Sequence, residues 1–291
     1  MNIHYDMPLY RPPSEADNLI IQVTLGCSFN QCSFCSMYSR KQYTARPLDD
    51  IKKDIAIAAR DYPDTQRVFL ADGDALALET NTLIDILNEL QKQLPALSRV
   101  TCYATPSNIL HKSQQELEQL KQHKLTLLYL GIESGADLIL KKITKGATQR
   151  GIADAMHRAD AAGLKVSATV ILGLGGQQHW QAHIDGTLAL LNAAPLTYLS
   201  TLQLFLEPDA EDNFYRKFNE PFTHQDDIAI LAEQQRLIAG LSPPKSVIFR
   251  SNHASNILAL AGTLPRDKDK LLKQIQQVRE HAGLLARSES Y

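Results

Sequence analysis

The sequence predicts an α/β fold in which parallel strands alternate with crossover helices, and three observations carry that expectation. Short apolar runs of strand length alternate six times with longer segments of helical apolar periodicity. At 291 residues and 44% hydrophobic content the chain can bury a sizeable core, as one large domain or two small ones. No internal repeat beyond the strand-helix unit and no low-complexity segment interrupts the pattern.

Residues 1–17, with Pro8, Pro12 and Pro13, read as an irregular arm over an edge or base of the fold. Leu19–Leu25 is the first strand, with Leu19, Ile21, Val23 and Leu25 on one face and Ile20, Gln22 and Thr24 on the other. A helix follows near Leu48–Arg60, with Asp49 and Asp50 in the first turn where the helix dipole favours anions. Then come a strand at Arg67–Ala71, a helix at Thr80–Gln93 stopped by Pro95, a strand at Arg99–Ala104 and a helix at Ser113–His123. The fourth strand is Thr126–Gly131 and the fourth helix Thr148–Ala162, ended by Gly163. Lys165–Leu172 and Thr197–Phe205 are the last two strands, with a helix at Gln178–Asn192 between them. Six units are fewer than the eight of a full barrel.

The pattern divides the chain into the arm, a core over 18–208 and an extension over 209–291 packed on the same domain. Residues 209–222 read as a polar connection, 224–240 as a helix, Val247–Phe249 as a strand and Asp267–Ala286 as a charged last helix. The run Arg250–Asn256 either closes the substrate end of the core or caps the last helix, and the second is favoured. In the fifth strand Val166, Ala168, Val170 and Leu172 share an oily face, opposite Ser167 and Thr169. In the sixth, Thr201, Gln203 and Glu207 share a phase. If oily faces meet the helices, these polar faces line the interior, near the strand ends where barrel chemistry sits.

Thirty basic against 32 acidic residues, a net charge of −2, argue against a protein held chiefly by nucleic-acid phosphates. No apolar run is long enough to span a bilayer and the start lacks the layout of a signal peptide, so a cytoplasmic protein is expected. In that compartment clustered cysteines point to metal or catalysis before disulfides. Three of the four cysteines, Cys27, Cys32 and Cys35, fall on one loop directly after the first strand. A structural zinc site closes with four ligands, whereas three thiolates can hold a cubane by three irons and leave the fourth open. The alternatives are a Cys-x-x-Cys redox pair and a zinc site completed by Cys102 or a histidine.

With Phe34 just before Cys35, this loop resembles that of the radical S-adenosylmethionine (SAM) superfamily, and later motifs follow in the same order. Four residues separate Cys27 from Cys32 where the family usually has three; the Cys32–Cys35 gap is the usual one. The resemblance implies an open six-stranded TIM-like barrel, a 4Fe-4S cluster on the three cysteines, and SAM chelated at the open iron. At the end of the second strand, Asp72-Gly73-Asp74 resembles the family's Gly-Gly-Glu turn, whose carbonyls approach the SAM amino group; Gly73 and Asp74 match and Asp72 replaces a glycine. After the fourth strand, Glu133 and Ser134 stand where the coproporphyrinogen-dehydrogenase-like branch binds ribose. Lys145 stands where that branch binds the SAM carboxylate. Thr169, Ile171 and Gly173 fall in a segment similar to the motif that lies along the adenine, and Leu202–Pro208 occupies the place of the last adenine-contacting strand. A dinucleotide fingerprint at Gly173-x-Gly175 is excluded because Gln178 stands where a third glycine is needed.

Two side readings complete the set. His179 and His183, four apart on one helix, could share a metal, but no glutamate follows His179 as in protease helices. Cys102 could give a hydrogen atom to a product radical, or simply be buried. The resemblance implies a radical enzyme with a flavodoxin- or ferredoxin-type reductant; the net charge of −2 favours a small-molecule substrate over tRNA, and the lack of a long apolar run argues against a membrane partner. No second cysteine cluster for an auxiliary centre and no cobalamin-binding domain ahead of the core are apparent. The competing class is a non-catalytic iron-sulfur or zinc protein, which requires a fourth protein ligand.

Overall fold

The structure is a computed structural model that describes residues 3–288, with side chains described to residue 281. Ten strands and ten α-helices occur among the described residues. The main sheet has eight strands in the order β1(Leu19–Gln22), β4(Arg67–Ala71), β5(Arg99–Ala104), β6(Leu125–Glu133), β7(Lys165–Leu172), β8(Tyr198–Gln203), β9(Val247–Ser251), β10(Leu260–Leu264). The chain forms two compact units: residues through Gly131 with Asp154–Ser167, and Ile132–Ala153 with Ala168 onward.

In the first unit β1, β4, β5 and β6 pair parallel, with Leu19 opposite Val68 and Cys102 between Leu70 and Leu128. The expected first strand breaks after Gln22. Thr24–Leu25 (β2) leaves the main sheet to pair antiparallel with Thr44–Ala45 (β3), and this short hairpin closes the stem of the cysteine loop. Helices α1(Leu48–Asp61), α2(Thr80–Gln93) and α4(Gln114–Gln122) are amphipathic and pack in sequence, α1 burying Ile51, Ile55 and Ala58. Ser113 and Glu116 form a reciprocal capping box on α4. The short helix α3(Pro106–His111), absent from the expectation, starts on Pro106 with Thr105 as its cap. The arm inserts Glu15, which is fully buried and accepts the Tyr129 hydroxyl.

The second unit holds α5(Asp137–Lys142), α7(Gly176–Ala193), α8(Pro208–Phe218), α9(Asp227–Gly240) and α10(Lys268–Ser288); α6(Gln149–Ala161) starts in it and ends in the first unit. The polar connection expected over 209–222 is largely helix α8. Asp209 and Glu211 occupy its first turn and Arg216 and Lys217 its last, while Ala210, Phe214 and Phe218 are buried one turn apart. Seven expected strands become eight in the main sheet: the expected Val247–Phe249 strand, as β9, joins β8 in parallel, and β10, which was not expected, pairs antiparallel with β9, Gly262 opposite Phe249. The Arg250–Asn256 run therefore ends β9 and turns toward β10 instead of capping the last helix, and Asn256 Nδ2 donates to Thr201 O at 2.7 Å. Thr201 is buried and takes the Gln234 amide of α9 at 3.2 Å, so this residue faces a helix and not an interior lumen. Among the described residues no helix is long and apolar enough to cross a membrane.

Candidate functional site

The cysteine loop belongs to the first unit and is held from beneath by the turn after β4. Asp72 is fully buried, and its Oδ2 accepts Gly26 N at 3.2 Å, at the start of the loop, and Lys41 Nζ at 3.1 Å, at its end. Lys41 also reaches Asp6, so one cation ties arm, loop and turn together. Asp74, equally buried, accepts Ser28 Oγ beside Cys27 and Asn108 Nδ2 from α3. Between Cys27 and Cys32, Asn30 adopts a left-handed φ of 41° and donates its amide to Tyr38 O at 2.9 Å. The extra residue of this gap is thus accommodated within a tethered turn.

Gly73 has a specific steric cause. A Cβ there would lie 2.3 Å from Tyr38 Cε2, so the ring of Tyr38 occupies the space a side chain would need. Tyr38 is buried edge-on to Tyr10 at 5.5 Å. Its phenol is pushed far up by burial, with Asp72 adding to the effect.

Cys27, Cys32 and Cys35 are each half-exposed and none is in a disulfide; Phe34 between the last two is also half-exposed. No three His, Cys, Asp or Glu side chains among the described residues converge on one ion position. A cubane does not ask for such convergence, because each thiolate takes a different iron. Three accessible thiols on one anchored loop fit that donor set. Cys102 is different: it is fully buried, in register with Leu70 and Leu128, and burial pushes its thiol well up. The structure therefore places it in the core and not at an accessible reaction surface.

In the second unit Glu133 ends β6 with a left-handed φ of 62° and accepts Lys145 Nζ at 3.0 Å. Both side chains are about nine-tenths buried, at 10% and 12% exposure, so the two are held as a pair. Ser134 is fully buried and its hydroxyl turns inward to His183 Nδ1 at 2.8 Å. His183 Nε2 lies 2.9 Å from Ile171 O; since a carbonyl only accepts, the ring proton sits on Nε2 and Ser134 donates to Nδ1. Burial lowers the His183 pKa to about 4, which keeps the ring neutral. His179 instead meets Glu220, so the two histidines make separate contacts and do not converge on a metal.

On β7, Val166, Ala168, Val170 and Leu172 are buried while Thr169 and Ile171 on the other face are half-exposed. Gly173 follows at φ 81°, and a Cβ there would lie 2.7 Å from Ile230 Cδ1. Its N–H donates to Glu233 Oε2 at 2.6 Å. Sequence reasoning missed Asp72, Lys41 and Glu233 as supports. The legible signals were an acid where a glycine is usual, and a carboxylate at the apolar phase of α9, one turn from Ile230 and Leu237.

The chain is 27% identical over 198 residues to a tRNA-2-methylthio-N(6)-dimethylallyladenosine synthase of Alkalilimnicola ehrlichii, covering 64% of this chain and 42% of that protein. It is 25% identical over 185 residues to the heme chaperone HemW of Bacillus subtilis, covering 61% and 47%. It thus spans under half the length of these two relatives. Among solved structures it is similar in fold to coproporphyrinogen III oxidase (HemN) from Escherichia coli, with a TM-score of 0.58 at 14% identity, covering 76% of this chain and 51% of that one. The family model described as Radical SAM superfamily matches residues 21–185, more than half of the chain, and the protein belongs to that superfamily.

Proposed function

We propose that the chain is a radical SAM enzyme in which Cys27, Cys32 and Cys35 hold a 4Fe-4S cluster and SAM takes the remaining iron. The carrying observation is the loop: three half-exposed thiols on a segment pinned at both ends by Asp72. When bound, cluster and SAM together supply reductive cleavage of the sulfonium and a 5'-deoxyadenosyl radical for hydrogen abstraction from substrate.

The residues of this chain bind and orient. Asp72 and Asp74 fix the loop; the carbonyls of the Gly73-Asp74 turn would receive the SAM amino group, and Phe34 lies on the loop just before Cys35. Glu133 has the chemistry to accept both ribose hydroxyls, and Lys145 to donate to the SAM carboxylate, so each would exchange its present partner for one on SAM. Thr169, Ile171 and Gly173 offer backbone and small polar groups for the adenine side. Ser134 acts through His183, which ties it to the Ile171 carbonyl. A low-potential flavodoxin- or ferredoxin-type donor is the reductant, and a small molecule the favoured substrate.

A tRNA substrate is the second reading, favoured by the tRNA-modifying relative. It predicts RNA binding that weakens steeply with salt. The test of the main reading is anaerobic reconstitution with iron and sulfide, reduction with dithionite, and chromatography. Wild type should form 5'-deoxyadenosine and Cys35→Ala should not; iron-loaded protein that leaves SAM intact overturns the proposal.

A further inference from the structure

Glu233 lies on α9, beyond the residues 21–185 matched by the family model, and its carboxyl is fully buried. Burying a carboxylate is costly unless its oxygens meet donors. Here each oxygen has one: Gly173 N at 2.6 Å on Oε2, and Gln225 Nε2 on Oε1. The same Gln225 amide lies 3.3 Å from Gly176 O, and Gln177 N donates to Thr223 O at 2.9 Å. Ile230, one turn before Glu233 on α9, fills the space beside Gly173. The turn from β7 into α7 is therefore gripped at the N–H of its first glycine and at the carbonyl of its last, by a helix and a connecting segment outside the family-matched region.

The choice of a carboxylate follows from the two donors. An apolar residue at 233 would leave the Gly173 N–H without its acceptor. A glutamine could accept from Gly173, but would turn its own N–H groups toward the Gln225 amide and force that amide to reorient. A carboxyl group keeps an acceptor lone pair on each oxygen with or without its proton, and so serves both partners in place.

We infer that Glu233 is a positioning residue for the adenine side of the cofactor site, holding the Gly173–Gly176 turn in the shape that receives SAM. This rests on the radical SAM reading above. The C-terminal part of the chain thus contributes to cofactor recognition through one buried side chain that touches no cofactor atom itself.

The experiment has two arms. In cofactor-free protein, hydrogen exchange is followed at peptides covering 172–178 in wild type, Glu233→Gln and Glu233→Leu. Exchange should be at least tenfold faster in Glu233→Leu and largely restored in Glu233→Gln; equal rates in all three overturn the inference. In iron-reconstituted protein, equilibrium dialysis is run with SAM, 5'-deoxyadenosine and L-methionine. Glu233→Leu should weaken SAM and 5'-deoxyadenosine at least tenfold and leave L-methionine within twofold, while a uniform loss for all three would indicate general damage and overturn the assignment. Should Glu233→Leu fail to fold, Gln225→Ala decides, with about threefold weaker SAM binding expected and no change contradicting the inference. If wild type binds no SAM, the functional reading falls, and the cofactor-free arm still decides whether Glu233 holds the turn.

Discussion

Replacing Lys41 with methionine should be among the most damaging single changes near the cysteine loop. Its ammonium lies 3.1 Å from Asp72, with side-chain exposures of 8% and 0%. At that separation an effective dielectric of ~20 gives roughly 5 kcal/mol of attraction, much of it offset by the desolvation of both ions. Removing one partner keeps the desolvation cost of the other, so Lys41→Met should lose about 3–5 kcal/mol. Asp72 would retain Gly26 N at 3.2 Å and Gln22 Nε2 at 3.4 Å, too little for a buried carboxylate. Removing the charge from the other side should then help: Lys41→Met with Asp72→Asn should recover at least ~1 kcal/mol relative to Lys41→Met alone. The assay is urea denaturation of the cofactor-free protein, paired with iron content after reconstitution, which should fall in Lys41→Met and partly return in the double variant. A Lys41→Met midpoint equivalent to less than about 1 kcal/mol of loss, with no coupling to Asp72, would refute the reasoning.

Three further outcomes follow from the same structure. Burial raises Glu233 from 4.5 to about 7, so the folded chain keeps a proton that the unfolded chain releases and stability falls as pH rises through that window. His183, lowered from 6.5 to about 4, does the reverse, since the unfolded chain takes up a proton the folded chain refuses and stability falls as pH drops. Between about pH 5 and 6.5 the two slopes, each up to ~1.4 kcal/mol per unit, oppose one another. Glu233→Gln should expose a stability that climbs with pH by calorimetry, and a profile parallel to wild type would contradict this. Gly73→Ala should cost ~1–3 kcal/mol through collision with Tyr38 and be partly rescued by Tyr38→Leu; an unshifted melting temperature counts against the contact. Cys102→Ala should leave iron content after reconstitution unchanged, and loss of iron would make it a fourth ligand.

Much of the architecture was legible because periodicity reports burial directly. The strands Arg67–Ala71, Arg99–Ala104 and Lys165–Leu172 and the helix Thr80–Gln93 occur as expected, since each carries a complete apolar phase between clear stops. Helix α8 was hidden by its polar composition: its charges complement the helix dipole, and only three small-to-large apolar positions one turn apart mark its buried face. Strand β10 was hidden for another reason. Leu-Ala-Gly-Thr-Leu has little strand propensity, and its pairing with β9 is a tertiary fact. The cysteine loop was legible from three cysteines directly after a strand, with Phe34 and the order of the later motifs beside them, but its supports were not, because Asp72, Lys41 and Gly26 are brought together by folding and not by proximity in sequence. Ser134 shows the converse, a residue aligned with a motif whose hydroxyl is turned to His183.

The claim on which the functional account depends is that the polypeptide leaves one iron for SAM. Electron paramagnetic resonance of the reconstituted, reduced protein, recorded before and after addition of SAM, tests it most directly. The account predicts a reduced 4Fe-4S signal whose g-values shift on SAM addition in wild type and in Cys102→Ala alike. A signal indifferent to SAM, from protein whose iron content is full, would show that the cluster is closed by protein and that the account is wrong.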